Sequence, residues 1–342
     1  MNLNYVYWSI DSTNWDNIYD KYKFKFSSLN IQDSTDVVKA IDYFREITNR
    51  LIDGHFNISI NNNLLGNTNI YPSSDRKQKK LEYHPPFSYN NIIKTYLDSG
   101  YLSGDYVTTN PQQPNLFLMS GTINSKVLYL SCNYFYLYRA YTSVDQNGAK
   151  SVLQFFFDHL QTIPFQIKSV IIDVRNNPGG DLSDLNLLVG HLIDKPLHFG
   201  FTRYKSGTGR LDYTPWIDAY VNPQDSSKQS MVPIIVLADN FSASLSETVT
   251  MAIHTLPTGV FIGENTWGAT GPFTDNKIYN DGPFEVGDFM SVQTSSAMFK
   301  YLDNKIYEGL GFPPDVLVPF NQAAIDVGRD LQIEKALEII LK

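Results

Sequence analysis

Ser169-Val-Ile-Ile-Asp-Val-Arg-Asn-Asn-Pro-Gly-Gly-Asp181 is a β-branched apolar run that breaks abruptly at Pro178-Gly179-Gly180. Its apolar residues are consecutive rather than alternating, and the run is too short for a helix, so it predicts a strand buried on both faces. Pro233-Ile-Ile-Val-Leu-Ala-Asp-Asn-Phe-Ser-Ala-Ser-Leu-Ser-Glu247 repeats the design, but its corner is a serine cluster with Glu247 placed to open a helix. One corner can offer free backbone N–H groups. The other can hold a serine hydroxyl at a helix N-terminus, where the macrodipole favours developing negative charge. Together the two corners point to acyl transfer.

Outward from this pair, Phe117–Ile123 and Val127–Cys132 read as strands around an Asn124-Ser125 turn, and a helix is expected from about Ala149 to Leu160. After Glu247 a helix runs to about Leu256. A short strand, Val260–Gly263, and the Thr266-Trp267-Gly268 turn follow, and Asn321–Leu341 reads as one closing helix. Toward the N-terminus, Ser12-Thr13 can cap a first helix. Val37, Val38, Ile41, Phe44, Ile47 and Leu51 stripe a second, over Ser34–Ile52, with Gly54 as its stop. His55 follows, then a short alternating strand, Phe56–Ile60. Residues 61–115 read as loops with one short helix near Tyr89–Leu97, and Lys205–Gln229 reads as an insertion suited to a lid. Strands alternating with helices predict a mostly parallel α/β core over 116–342, with a smaller helical region over 1–115. Ligands of such cores gather at the carboxyl ends of strands, where both corners lie.

At 342 residues, 42% of them hydrophobic, the chain can bury a substantial core. A formal charge of -8 without long Lys/Arg runs argues against a nucleic-acid or anionic-membrane surface, and Lys77, Lys79 and Lys80 read as a solvated cluster. Cys132 is the only cysteine, which rules out an internal disulfide and a Cys-rich zinc site. No apolar run is long enough to span a bilayer, and Met1-Asn2-Leu3-Asn4 does not open a signal peptide.

Four pieces occur in order: Ile172-Asp173-Val-Arg175-Asn-Asn-Pro-Gly-Gly180, Ser242-Ala-Ser-Leu-Ser-Glu247, Gly263-Glu264-Asn-Thr266-Trp-Gly268 and Gly309-Leu-Gly311-Phe-Pro-Pro314-Asp315. With Asp53-Gly54-His55 upstream, the chain resembles the S41 serine peptidases, which include the C-terminal processing and tricorn-like proteases. The resemblance covers about Phe117 to Pro319 and implies a ClpP/crotonase-like core. It maps the nucleophile to Ser244, although Ser242, Ser244 and Ser246 read equally well as capping residues on their own. Processing-type members use a lysine directly after the Thr-aromatic-Gly turn, where this chain has Ala269, and Lys277 is the nearest alternative. Tricorn-like members use an N-terminal histidine, which maps to His55. A serine precedes that histidine in those proteins, and here the residue is Gly54.

By the same resemblance Glu308 is the carboxylate that holds the imidazole. The oxyanion hole is the backbone N–H of Leu245 paired with that of Gly180 or Gly179. His84 and His254 read as structural, and Asp315 as the tie of the turn after Pro314. No metal or organic cofactor is implied. The expected substrate is a peptide or protein, bound extended at a strand edge. Nothing in 61–115 resembles a PDZ module. The family's habits favour an exported protein whose signal is not in this chain. The rival reading is a binding protein for peptide or apolar ligands that keeps the fold without the chemistry, and an esterase or amidase would use the same residues.

Overall fold

A computed structural model of the chain describes residues 3–63, 66–80, 83–108, 114–224, 231–273 and 282–340; Lys277 and the last residues of the 205–229 insertion lie outside them. The chain forms two compact units. The smaller comprises Met1–His84, Phe201–Ile217 and Gly271–Lys300, and the larger Pro85–Gly200, Asp218–Thr270 and Tyr301–Lys342.

The larger unit is α/β. Its seven-stranded sheet runs Val316–Leu317, Gly259–Gly263, Ile234–Ala238, Ser169–Asp173, Val127–Cys132, Leu116–Ile123, Leu102–Tyr106. The first five strands pair parallel to one another, and the last two join through antiparallel pairings. Every residue of Ser169–Asp173 and of Ile234–Ala238 is buried, which is why these runs do not alternate. They pair in register Val170↔Ile234 and Ile172↔Val236, so the Pro-Gly-Gly corner and the serine corner leave the same end of the sheet from adjacent strands. The expected hairpin turn is present: Asn124 and Ser125 have φ of 52° and 55°, the pattern of a type I′ turn. Helix Gly148–Leu160, capped by Asn147, buries Ala149, Val152, Leu153, Phe156, Phe157 and Leu160 at helical spacing.

The closing helix is two helices, Gln322–Asp326 and Leu331–Ile340. Gly328 at φ +77° turns the chain between them, and Asp330 Oδ1 then accepts the N–H groups of Gln332 and Ile333 to start the second. Ile333 and Ala336 pack on Ile171, Ile235, Leu237 and Ile262 of the sheet.

The smaller unit is not purely helical. Beside helices Trp15–Ser27 and Ser34–Thr48 it contains a four-stranded antiparallel sheet, ordered Phe284–Val286, Met290–Gln293, Asn57–Asn62, Gly66–Ile70. The first helix is capped by Asn14, whose side chain accepts the Asn17 N–H, rather than by Ser12 or Thr13. The second ends at Thr48, before Gly54, where Thr48 Oγ1 turns back to the Phe44 carbonyl and Leu51 leaves the helix to be fully buried. Within the expected insertion, Lys205 and Tyr213 are tied to the smaller unit. Lys205 is fully buried with Nζ donating to the Gly209 and Arg210 carbonyls, and Tyr213 Oη donates to the Val6 carbonyl at 2.9 Å.

Candidate active site

The two corners of the larger unit are laced together by hydrogen bonds. Asn177 accepts the Ala243 N–H and the Ser246 hydroxyl on its carbonyl, and Asn176 N–H donates to Asp239 Oδ1 at 2.9 Å. Ser242 Oγ donates to the Val174 carbonyl at 2.7 Å and accepts the Asp239 N–H at 2.9 Å. Ser242 and Ser246 are therefore fully buried and committed to the scaffold. Ser244 is different: it is half-buried and stands at φ +55°, ψ −117°, immediately before helix Leu245–His254. That conformation costs a non-glycine residue on the order of 1–3 kcal/mol and turns the side chain out of the helix line.

Gly179, at φ +104°, lies against this serine. A Cβ there would come 2.7 Å from Ser244 Cβ and 2.9 Å from Leu245 N. Its own N–H donates to Asn177 Oδ1 at 2.9 Å. Gly180 is held by Phe135, which donates to the Gly179 carbonyl and accepts from Asp181 N–H, both at 2.9 Å. The N–H groups of Gly180 and Leu245 have no acceptor among the described residues.

Glu247 anchors the first turn of helix Leu245–His254. Fully buried, its carboxylate accepts from Ser244 N–H at 3.1 Å, Thr266 Oγ1 at 2.6 Å, and the N–H groups of Gly268 and Ala269 at 2.7 Å each. The expected capping residue thus also fixes the Thr266-Trp267-Gly268 turn. Ala269, where processing-type members place their lysine, is buried. One residue on, Thr270 donates through both N–H and Oγ1 to Glu308 Oε2, at 2.7 and 2.9 Å. Glu308 is buried, unlike a solvated loop acid, and belongs to the same unit as Ser244. His254 bridges Tyr301 Oη and Asp315 Oδ1, and Asp315 Oδ2 accepts the Phe261 N–H, so both are structural as expected.

His55 belongs to the smaller unit. Its N–H donates to Asp53 Oδ1 at 2.9 Å, its ring meets the Phe273 ring edge at 4.6 Å between centroids, and Nδ1 lies 3.4 Å from Ser295 Oγ. Nε2 is buried with no partner among the described residues. Burial holds its pKa below the ordinary 6.5, against the opposing pull of the Asp53 charge, so the ring stays neutral at pH 7. Asp53, fully buried, also accepts from Thr294 Oγ1, Ser295 N–H and Ser295 Oγ. Sequence reasoning singled out neither Asp53 nor Ser295 by role. The position of Asp53, two residues before His55, was the available signal; Ser295, in Gln-Thr-Ser-Ser, carried none.

The profile of peptidase family S41 matches residues 128–318. Over 154 residues the chain is 27% identical to the nisin-resistance protein of Lactococcus lactis, covering 43% of this chain and 45% of that one. Over 115 residues it is 29% identical to the carboxy-terminal processing protease CtpA of Bacillus subtilis, covering 34% and 22%. The matches thus span less than half the length of these relatives. A crystal structure of a candidate peptidase from Parabacteroides merdae superimposes with a TM-score of 0.72 at 21% identity, over 100% of this chain and 93% of that one, which shows the shared fold. The family match starts in the strand beside Ser169–Asp173, takes in both corners and the buried Glu247 and Glu308, and ends just past the Gly-x-Gly turn. With more than half of its length so matched, this chain belongs to peptidase family S41.

Proposed function

We propose that this protein is a serine-type peptidase with Ser244 as nucleophile, His55 as general base and Glu308 as the carboxylate that supports the imidazolium. Ser244 Oγ bonds to the scissile carbonyl carbon while its proton passes to His55 Nε2. The negative charge on the carbonyl oxygen is met by the N–H groups of Leu245 and Gly180. Collapse of the tetrahedral adduct breaks the C–N bond, the Nε2 proton goes to the leaving amine, and water then hydrolyses the acyl-enzyme by the same route.

The observation that carries this reading is the pairing of a serine at φ +55° with two N–H groups that have no acceptor, one on the residue after it and one on the glycine beyond Gly179. Membership of S41 and the neutral ring with an open Nε2 support it. One lost oxyanion donor typically lowers the rate ~10²–10³-fold, and a lost positioned base ~10²–10⁴-fold.

A fluorophosphonate probe tests the proposal. The expected result is a single adduct on Ser244, absent in Ser244→Ala and slowed at least ~10²-fold in His55→Ala. A folded wild type that does not label would sink the hydrolase and leave a binding protein. A peptide library then separates peptidase from esterase.

A further inference from the structure

Taking His55 as the base, we propose that Asp53 and Ser295 are positioning residues that fix its tautomer, with the Ser295 hydroxyl relaying the orientation of the Asp53 carboxylate to His55 Nδ1. All three residues lie in the smaller unit. A serine hydroxyl has one proton to give. Ser295 Oγ lies 2.9 Å from Asp53 Oδ1, and a carboxylate only accepts, so that proton points to Asp53. The oxygen then presents lone pairs to Nδ1 at 3.4 Å, a long contact that is favourable only if Nδ1 carries the hydrogen. An N–H at Nδ1 leaves Nε2 with its lone pair, the form a general base needs. Nε2 is the ring nitrogen that is buried and unpartnered among the described residues.

The relay has a stiff frame. Asp53 accepts four hydrogen bonds, from Thr294 Oγ1, Ser295 N–H, Ser295 Oγ and the His55 N–H, so it grips both the backbone of the histidine and the serine beside its ring. Asp53, Thr294 and Ser295 are all fully buried, and Phe273 closes on the ring edge. Gly54 offers no side chain, and its carbonyl is held by Ser73 Oγ at 3.1 Å. A hydroxyl supplied from residue 295 thus does what no side chain at residue 54 can.

The tautomer can be read without turnover, by 15N NMR of histidine-labelled full-length protein above pH 7, alongside the rate of fluorophosphonate labelling at Ser244. Wild type is expected to show hydrogen on Nδ1. Ser295→Ala should move population to the Nε2–H form and slow labelling about 10²-fold, and Ser295→Thr should restore both. Asp53→Asn should act in the same direction, because an amide can donate to Ser295 Oγ and free the hydroxyl proton for Nδ1. Circular dichroism confirms that each variant is folded. Hydrogen on Nε2 in wild type overturns the proposal, as does a folded Ser295→Ala with unchanged tautomer and labelling while His55→Ala is impaired. A tautomer that responds in a wild type that never labels would uphold the positioning and refute the hydrolase.

Discussion

At the scale of the residue, the serine cluster separates into two buried scaffold serines, Ser242 and Ser246, and a strained Ser244, and stability should report the difference. Ser244→Gly relieves a backbone that only glycine adopts freely, so it should raise unfolding stability by about 1 kcal/mol while abolishing probe labelling. Ser242→Ala deletes two buried hydrogen bonds and should cost about 1–3 kcal/mol. Denaturant titration of both variants checks the pair of signs. His55 gives a pH signature. Its native pKa lies below the 6.5 of the unfolded chain, so the unfolded state binds more protons as pH drops through 6.5. The contribution is therefore complete above 6.5 and is lost as pH falls through the native value. Stability measured from pH 7.5 to 5 should decline less in His55→Gln than in wild type. The acid limb of the labelling rate should also fall below 6.5.

At the scale of the element, Glu247 joins the first turn of helix Leu245–His254 to the turn that ends in Ala269. Glu247→Gln would aim an amide at donors that now share four contacts with a carboxylate. A loss of about 2–4 kcal/mol and slower labelling are expected, measurable by thermal melts and probe kinetics. The two strands behind the corners were legible because β-branched five-residue runs buried on both faces have few other solutions. Of the small unit's sheet only the alternating run Phe56–Ile60 was legible, in the strand Asn57–Asn62, whereas Gly66–Ile70 has two Asn and a Gly in five residues and a single apolar side chain. The break at Gly328 was hidden by apolar residues that stay nearly in phase across it. Within the candidate site, motif order pointed to Ser244, while the commitments of Ser242 and Ser246 became visible only once Val174 and Asn177 were in place. Ser295 could not be found from sequence, because what marks it is a contact 240 residues away.

At the scale of the molecule, one buried cation ties distant parts of the larger unit. Arg175 reaches Asp173 at 2.6 Å and Asp330 at 2.9 Å, accepts the face of Tyr89 at 3.6 Å, and so fastens the last helix to the strand that carries the glycine corner. Arg175→Ala would strand two buried carboxylates and should cost about 3–5 kcal/mol, whereas Arg175→Met with Asp173→Asn and Asp330→Asn should recover part of it, as urea unfolding would show. The smaller unit raises a question of time. Its central strand pairs Asn57 with Gln293, 236 residues apart, and the serine beside His55 arrives later still. At ribosomal rates of roughly 5–20 residues per second, the histidine emerges on the order of 10–50 s before the segment that packs beside its ring. The surroundings that His55 has in the folded unit, Ser295 among them, therefore close only after 240 further residues have been made.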